Sequence, residues 1–317
     1  MKSRLRSSLR VSALVLASLA ALNVLAPTAR AADTARQKKG GGIDWNERAA
    51  PWGKLRNVAP DAQKKSGFKL FDNVHYVGLQ TVAAYLITTS DGLVLLDAAY
   101  ANTTDLLLEN IRQAGFDPKA IKYIIVSHAH GDHFAGAGTF VQLSGARVIM
   151  SELDWDETER RQAGGLPTNG LRLKRDLVVR DGETMKIGDT PFTFYVTPGH
   201  TAGALTTVYP VKDRDRTYRA VSPGGLGFNF GPEWTEPYVR SFERLKALGP
   251  FDTVLPNHAY MGPRDLFDVE SDLAKRGAGW HPAAYGPQRI NAWIDQILNA
   301  ARQKQDYERQ HPEPAGK

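Results

Sequence analysis

The chain has 317 residues, 42% hydrophobic and 23% charged, with no cysteine. Such a composition excludes disordered, collagen-like and coiled-coil proteins. The missing thiol excludes disulfide scaffolds, iron–sulfur clusters, cysteine zinc sites and a cysteine nucleophile, so any metal must be held by His, Asp or Glu. The length exceeds the size at which a single core usually stops growing, so one or two domains are allowed. The formal charge of +6 is unevenly placed: Lys2, Arg4, Arg6, Arg10 and Arg30 precede residue 32 with no acid among them, and the remainder of the chain is nearly neutral. A neutral remainder gives no general case for binding nucleic acid.

The first 31 residues have the three parts of a secretory signal. These are a basic start, an apolar run Val11–Ala26 and a small-residue cleavage motif Ala29-Arg30-Ala31. The apolar run contains Ser12, Ser18 and Asn23 and is shorter than the ~20 residues of a membrane span. No Arg-Arg pair marks the twin-arginine route. The expectation is an exported, periplasmic protein with no membrane contact after cleavage. Residues 32–50, with Gly40-Gly41-Gly42, read as a flexible leader, and 51–317 as a single domain, because no Pro/Gly-rich linker divides the middle.

Short strand-like runs begin at Val74–Leu79, Ala83–Thr88 and Leu93–Leu96, with a Ser90-Asp91-Gly92 turn. A helical pattern follows from Asn102 and closes at Gly115. Ile121–Val126 reads as a strand buried on both faces. A helix at Phe134–Leu143, a strand at Ala146–Met150 and a helix at Glu152–Arg161 complete the first half. The second half gives strands at Phe192–Thr197, Ala204–Tyr209, Tyr218–Ser222 and Thr253–Leu255. Its helices are Pro237–Leu248, Pro263–Lys275 and Ile290–Gln303. Two such βα-rich halves predict sheets stacked inside helical layers.

The chemistry concentrates in His128-Ala129-His130-Gly131-Asp132-His133, directly after the buried strand. Strand C-termini are where α/β sites form. His128 and His130 are spaced to converge on one ion, and Asp132 and His133 to reach a second. Imidazole and carboxylate are the ligands zinc accepts without thiolate. His200, in Pro198-Gly199-His200-Thr201, and His258, in Pro256-Asn257-His258, also follow predicted strands. His75, His281 and His311 lack such a setting and read as ordinary histidines.

These stretches resemble the metallo-beta-lactamase superfamily, from about Phe71 to the last helix. Within it they look most like class B beta-lactamases of subclass three. The hexapeptide and Thr197-Pro198-Gly199-His200-Thr201-Ala202-Gly203 are the specific matches; Ala84–Thr89 and Val94–Asp97 also fit. The resemblance implies a four-layer αββα sandwich (an α/β, or α+β, fold) with two Zn2+ ions. His128, His130 and His200 would hold the first ion. Asp132, His133 and His258 would hold the second, with Asp132 also orienting the nucleophile, a zinc-bound hydroxide. Asp97, ending its strand, would support the ligands. The implied reaction is opening of a beta-lactam ring in a small-molecule substrate, by a protein for which a monomer is favoured.

Glyoxalase-type hydrolases and many lactonases of this superfamily place a bridging Asp at the end of a strand, where this chain has Ser222; Asp213 and Asp215 lie in a charged turn nearby. The serine matches subclass three and is expected to reach water on the second ion. Gly131, Asn257 and Pro223-Gly224-Gly225 depart from the subclass pattern and bear on substrate rather than on metal. The segment Trp155–Leu173 and Tyr260 are candidates for the cleft wall. The alternative is a periplasmic metallohydrolase of the same fold acting on a lactone or another ester or amide. A zinc nuclease is disfavoured by charge, and a non-catalytic zinc protein by the complete ligand set. Ser66-Gly67-Phe68-Lys69 fits a serine-lactamase motif literally, but neither of its companion motifs occurs.

Overall fold

The computed structural model describes Trp45 and residues 59–312. The expected signal (1–31) and all of the expected leader (32–50) except Trp45 lie outside the described residues. Trp45 is buried: its backbone N–H donates to Asn229 Oδ1 at 3.0 Å and its ring lies 5.9 Å from Tyr307. An indole buried in this way removes a large apolar surface from water.

Two sheets form the centre. The first has seven strands in chain order: β1 Phe68–Phe71, β2 Val74–Tyr76, β3 Tyr85–Thr89, β4 Gly92–Leu96, β5 Ile121–Ile125, β6 Arg147–Ser151 and β7 Leu177–Val179. β1 to β4 are antiparallel hairpins, whereas β4 to β7 run parallel through helical crossovers. The second sheet contains β8 Thr184–Ile187, β9 Thr190–Val196, β10 Leu205–Asp213, β11 Arg216–Ser222 and β12 Thr253–Val254, in the order β12-β11-β10-β9-β8.

Alternation along the strands creates the layers. In β4, Val94 and Leu96 face the apolar core shared with the second sheet, while Leu93 and Leu95 face the opposite side. That opposite side is covered by α1 Thr104–Gln113, α3 Ala137–Ser144 and α4 Glu152–Ala163, through Leu107, Ile111, Phe140 and Trp155. A single-turn helix, α2 Gly131–Phe134, precedes α3. The inter-sheet core continues through Phe192, Phe194, Val208 and Val221 into α5 Pro232–Leu248, α6 Leu266–Lys275 and α7 Pro287–Gln310. Helix, sheet, sheet, helix is the expected αββα order.

The structure adds three strands to the expected set. β1 lies in a Ser/Gly/Lys-bounded stretch, β7 has only three residues, and β8 reads Thr-Met-Lys-Ile; none carries a strong apolar run. The expected helix at Phe134–Leu143 is divided between α2 and α3, with the chain turning at Gly136. A Cβ at Gly136 would lie 2.1 Å from the Ala98 carbonyl oxygen, so this turn requires glycine. The expected charged turn shrinks to Arg214-Asp215, because β10 runs on to Asp213 and β11 begins at Arg216.

Candidate metal centre

Every candidate ligand sits just past a strand, at one edge of the sandwich. β5 ends at Ile125, and Val126-Ser127 lead into His128–His133. His200 lies in the turn between β9 and β10, and His258 follows β12. The Leu205 N–H donates to the Ser127 carbonyl at 2.7 Å, and the Ala83 N–H to the Asn257 carbonyl at 3.0 Å, so the two sheets hold these loops to each other.

Three ring nitrogens converge: His200 Nε2 lies 3.0 Å from His128 Nε2 and 3.0 Å from His130 Nδ1. Ligands about 2.0–2.1 Å from a tetrahedral zinc are about 3.3 Å apart, so this spacing suits one ion. The outward nitrogens are engaged. His128 Nδ1 is 3.0 Å from Ser127 Oγ, and His200 Nδ1 is 2.5 Å from the Gly227 carbonyl.

A second group lies beside the first. Asp132 Oδ2 is 3.3 Å from His133 Nε2 and 3.8 Å from His258 Nε2. The ligand atoms of Asp132 and His133 also fall within 4.8 Å of His128, whose ring adjoins both groups. His133 Nδ1 meets Asp97 Oδ2 at 2.8 Å, and His258 Nδ1 meets the Thr81 carbonyl at 2.8 Å. His133 Nε2 is buried without a hydrogen bond, although Asp132 is near. A buried ring nitrogen without a hydrogen bond beside a carboxylate oxygen is what donors around a cation would show. The residues therefore fit a divalent ion of zinc type at the three-histidine point, and the second group offers further oxygen and nitrogen donors.

Electrostatics agree with that fit. Burial, then mutual repulsion among the imidazoles, holds His128 and His130 well below the usual histidine range. Burial likewise lowers His200 to about 3, so all three are neutral donors at pH 7. Burial would raise Asp132, but His133 and His258 outweigh it and hold the carboxyl well below the usual range. Burial would lower His133, yet Asp132 and Asp97 on either side raise it to about 10. Without metal, one proton on His133 supplies the positive charge that two carboxylates demand.

Asp97 ends β4 with φ +62° and is buried. It accepts from the Ser127 N–H at 2.7 Å and Ser127 Oγ at 2.8 Å, besides facing His133. Through Ser127 it reaches His128 as well. Tyr260 packs 5.7 Å from the His258 ring. Ser222, expected to reach water on the second ion, is buried with its hydroxyl 3.0 Å from that of Tyr209. The Tyr209 phenol reaches across the β10–β11 pair to this hydroxyl. Asp213 is eight residues along β10 from the site-facing Leu205, about 26 Å at strand rise, and pairs with Arg276.

Other neighbours had no strong sequence signal. Phe230 packs 5.1 Å from His200 and 5.8 Å from His130. Within the expected Trp155–Leu173 border, Leu166 leans over the hexapeptide: a Cβ at Gly131 would lie 3.1 Å from its Cδ1. Gly131 thus leaves room that Leu166 fills. Arg161, tied to Glu157 at 2.6 Å, contributes positive charge at His130.

The metallo-beta-lactamase superfamily model matches residues 77–214, which include the hexapeptide and the His200 turn. Residues 77–214 thus match a metallo-beta-lactamase superfamily domain. Native FEZ-1 metallo-beta-lactamase from Legionella gormanii is 26% identical, with a TM-score of 0.70 over 80% of this chain and 100% of that one. BJP-1, a subclass B3 metallo-beta-lactamase of Bradyrhizobium japonicum, shares the fold at 24% identity and a TM-score of 0.68, over 81% of this chain and 99% of that one. A hydroxyacylglutathione hydrolase of Pseudomonas paraeruginosa is 34% identical over 141 residues, 43% of this chain and 47% of that protein. Matches to hydroxyacylglutathione hydrolases span 28% to 62% of those relatives' length.

Proposed function

We propose that this domain is a zinc-dependent hydrolase that opens beta-lactam rings, in a protein exported to the periplasm by its N-terminal signal. In this reading His128, His130 and His200 hold one ion, and Asp132, His133 and His258 a second. The observation that carries the choice among superfamily activities is the end of β11. Ser222 stands there, bonded to Tyr209, and among the described residues no carboxylate ends that strand. The likeness to FEZ-1 over that protein's whole length supports it.

Bound zinc supplies an activated water at neutral pH and a Lewis acid for the carbonyl. The chain's own residues do the remainder. Asp132 keeps its carboxylate charged and presents it to orient the attacking water. Asp97 and the Thr81 carbonyl hold Nδ1 of His133 and His258, which leaves Nε2 of each as the nitrogen facing inward to bind an ion. Leu166, Phe230 and Tyr260 give apolar walls for a bicyclic ring, and the charge of Arg161 suits a carboxylate on the substrate.

The similarity to hydroxyacylglutathione hydrolases favours a second reading, hydrolysis of a thioester, lactone or other ester at the same centre. One experiment separates them: turnover of a chromogenic cephalosporin by the purified protein, with and without a chelator. Rapid turnover that stops with chelator and returns with zinc is expected, with His130→Ala losing both zinc and most of the rate. Protein holding two zinc ions yet inert to the cephalosporin would overturn the beta-lactam reading and move the question to an ester and thioester panel.

A further inference from the structure

Asp154 is a carboxylate that the reaction does not use, and its surroundings are unusual. It lies in the first turn of α4 and is 1% exposed. Its oxygens accept three hydrogen bonds. Oδ2 takes the Ala129 N–H at 2.9 Å and the Thr201 hydroxyl at 2.9 Å, and Oδ1 takes the Gly203 N–H at 3.0 Å. Ala129 stands between His128 and His130, and Thr201 directly follows His200. One side chain therefore grips both loops that deliver the three-histidine group, and these loops come from different sheets.

The neighbouring residues are shaped around this grip. Ser151, the residue capping α4, accepts from the Asp154 N–H at 3.3 Å and donates to the Gly203 carbonyl at 2.6 Å. Gly203 is thus held at both its N–H and its C=O. A Cβ there would sit 2.2 Å from Ser151 Oγ and 2.6 Å from the Asp154 nitrogen, so only glycine lets the loop approach the helix end this closely. No salt bridge offsets the Asp154 charge among the described residues, and burial raises its carboxyl to about 6 despite the hydrogen bonds from Thr201, Ala129 and Gly203. A buried carboxylate without a cation is unfavourable for folding, and an amide or hydroxyl would satisfy fewer of the three donors.

We propose that Asp154 is a positioning residue that straps the His128–His130 turn to the His200 turn and so preorganises the three-histidine zinc site ahead of metal binding. His200 Nε2 stands 3.0 Å from a ring nitrogen of His128 and of His130, and lone pairs so close repel each other when no ion lies between them. A strap that resists their separation removes a reorganisation step from binding. The Asp132, His133 and His258 group receives none of these hydrogen bonds, so the effect falls on one ion and not on the other. The inference rests on the ligand reading above and is independent of which bond the enzyme cleaves.

The test is a zinc titration of the purified, metal-stripped protein against a competing chromophoric chelator, repeated with cobalt(II), whose visible spectrum separates a tetrahedral three-histidine site from a site of higher coordination. Asp154→Ala should weaken the three-histidine site by about 10- to 100-fold, with the cobalt bands of that site lost first and the second site unchanged. Asp154→Asn should fall between Ala and wild type, since its amide oxygen still serves two donors while its NH2 opposes the Gly203 N–H. Thr201→Val, which removes one bond of three, should give the smallest loss. Asp154→Ala that melts cooperatively and binds at the three-histidine site within about threefold of wild type would overturn the proposal. If that variant does not fold, unchanged binding in both Asp154→Asn and Thr201→Val would do the same. Wild-type protein that takes up no zinc would overturn the ligand reading and this proposal together, whereas equal binding by wild type and variants would overturn this one alone.

Discussion

Single side chains decide the chemistry of this centre through their second atom as much as their first. Each inward nitrogen of His128, His133, His200 and His258 is matched by an outward nitrogen on Ser127, Asp97, Gly227 or Thr81. Asp154 adds a measurable pH dependence. Its folded value of about 6 exceeds the ordinary 3.8 because burial disfavours the charge. A raised carboxyl contributes stability that is fully present below the unfolded value and lost as pH rises through the folded one. Metal-free wild type should therefore lose roughly 3 kcal/mol from this group between about pH 4 and pH 7, and Asp154→Ala should lack that slope. Denaturant unfolding across that range measures it; parallel curves for the two proteins would contradict the burial account.

At the scale of elements, the site is built from turns that strands terminate and glycines permit. Gly199 adopts φ +133°, and a Cβ there would lie 2.4 Å from the Tyr238 Cα, so the His200 turn is pressed directly on α5. Gly225, after β11, meets the other side of the same histidine: its Cβ would sit 2.3 Å from His200 Cβ and 2.4 Å from Cγ. Gly225→Ala should push the imidazole out of line, lower stability by about 1–3 kcal/mol and weaken binding of the first zinc ion. Gly277→Ala, where an added Cβ meets nothing within 4 Å, should do neither. Thermal melts and zinc titrations of the two variants make the comparison, and equal behaviour would show that the Gly225 contact relaxes freely.

Over the whole molecule, the proposed ligands come from both sheets: His128–His133 after β5 of the first, His200 and His258 after β9 and β12 of the second. Bound zinc would therefore staple the two sheets at one edge, where otherwise backbone bonds such as Leu205 to Ser127 hold them. Zinc at a hundredfold excess over its dissociation constant stabilises by about 2.7 kcal/mol per site. Stripping the metal should lower the melting temperature by roughly 5 °C or more, reversibly on adding zinc, as calorimetry would record. An unchanged melting temperature would mean that the loops are rigid without the ion and that the sheets do not depend on it.

The sequence by itself determined the central strands and helices, because their apolar periodicity is local. It also determined the candidate ligands, because His128–His133 carries its spacing within six residues and His200 and His258 follow readable strands. Asp97 was legible as a candidate for the same reason, directly after β4. Other features depended on contacts distant in the chain. β1, β7 and β8 exist only because a neighbouring strand offers hydrogen bonds. Trp45 is ordered by a pocket formed from residues 184 and more positions away. Ser222 was expected to reach water on the second ion, and its partner Tyr209 lies across a hairpin. Asp154 carried no signal of its own, since nothing local shows that Ala129, Thr201 and Gly203 converge on it. Tertiary structure alone decided those pairings: a buried polar group must find partners wherever the packed chain brings them, and that is a property of the fold rather than of any segment.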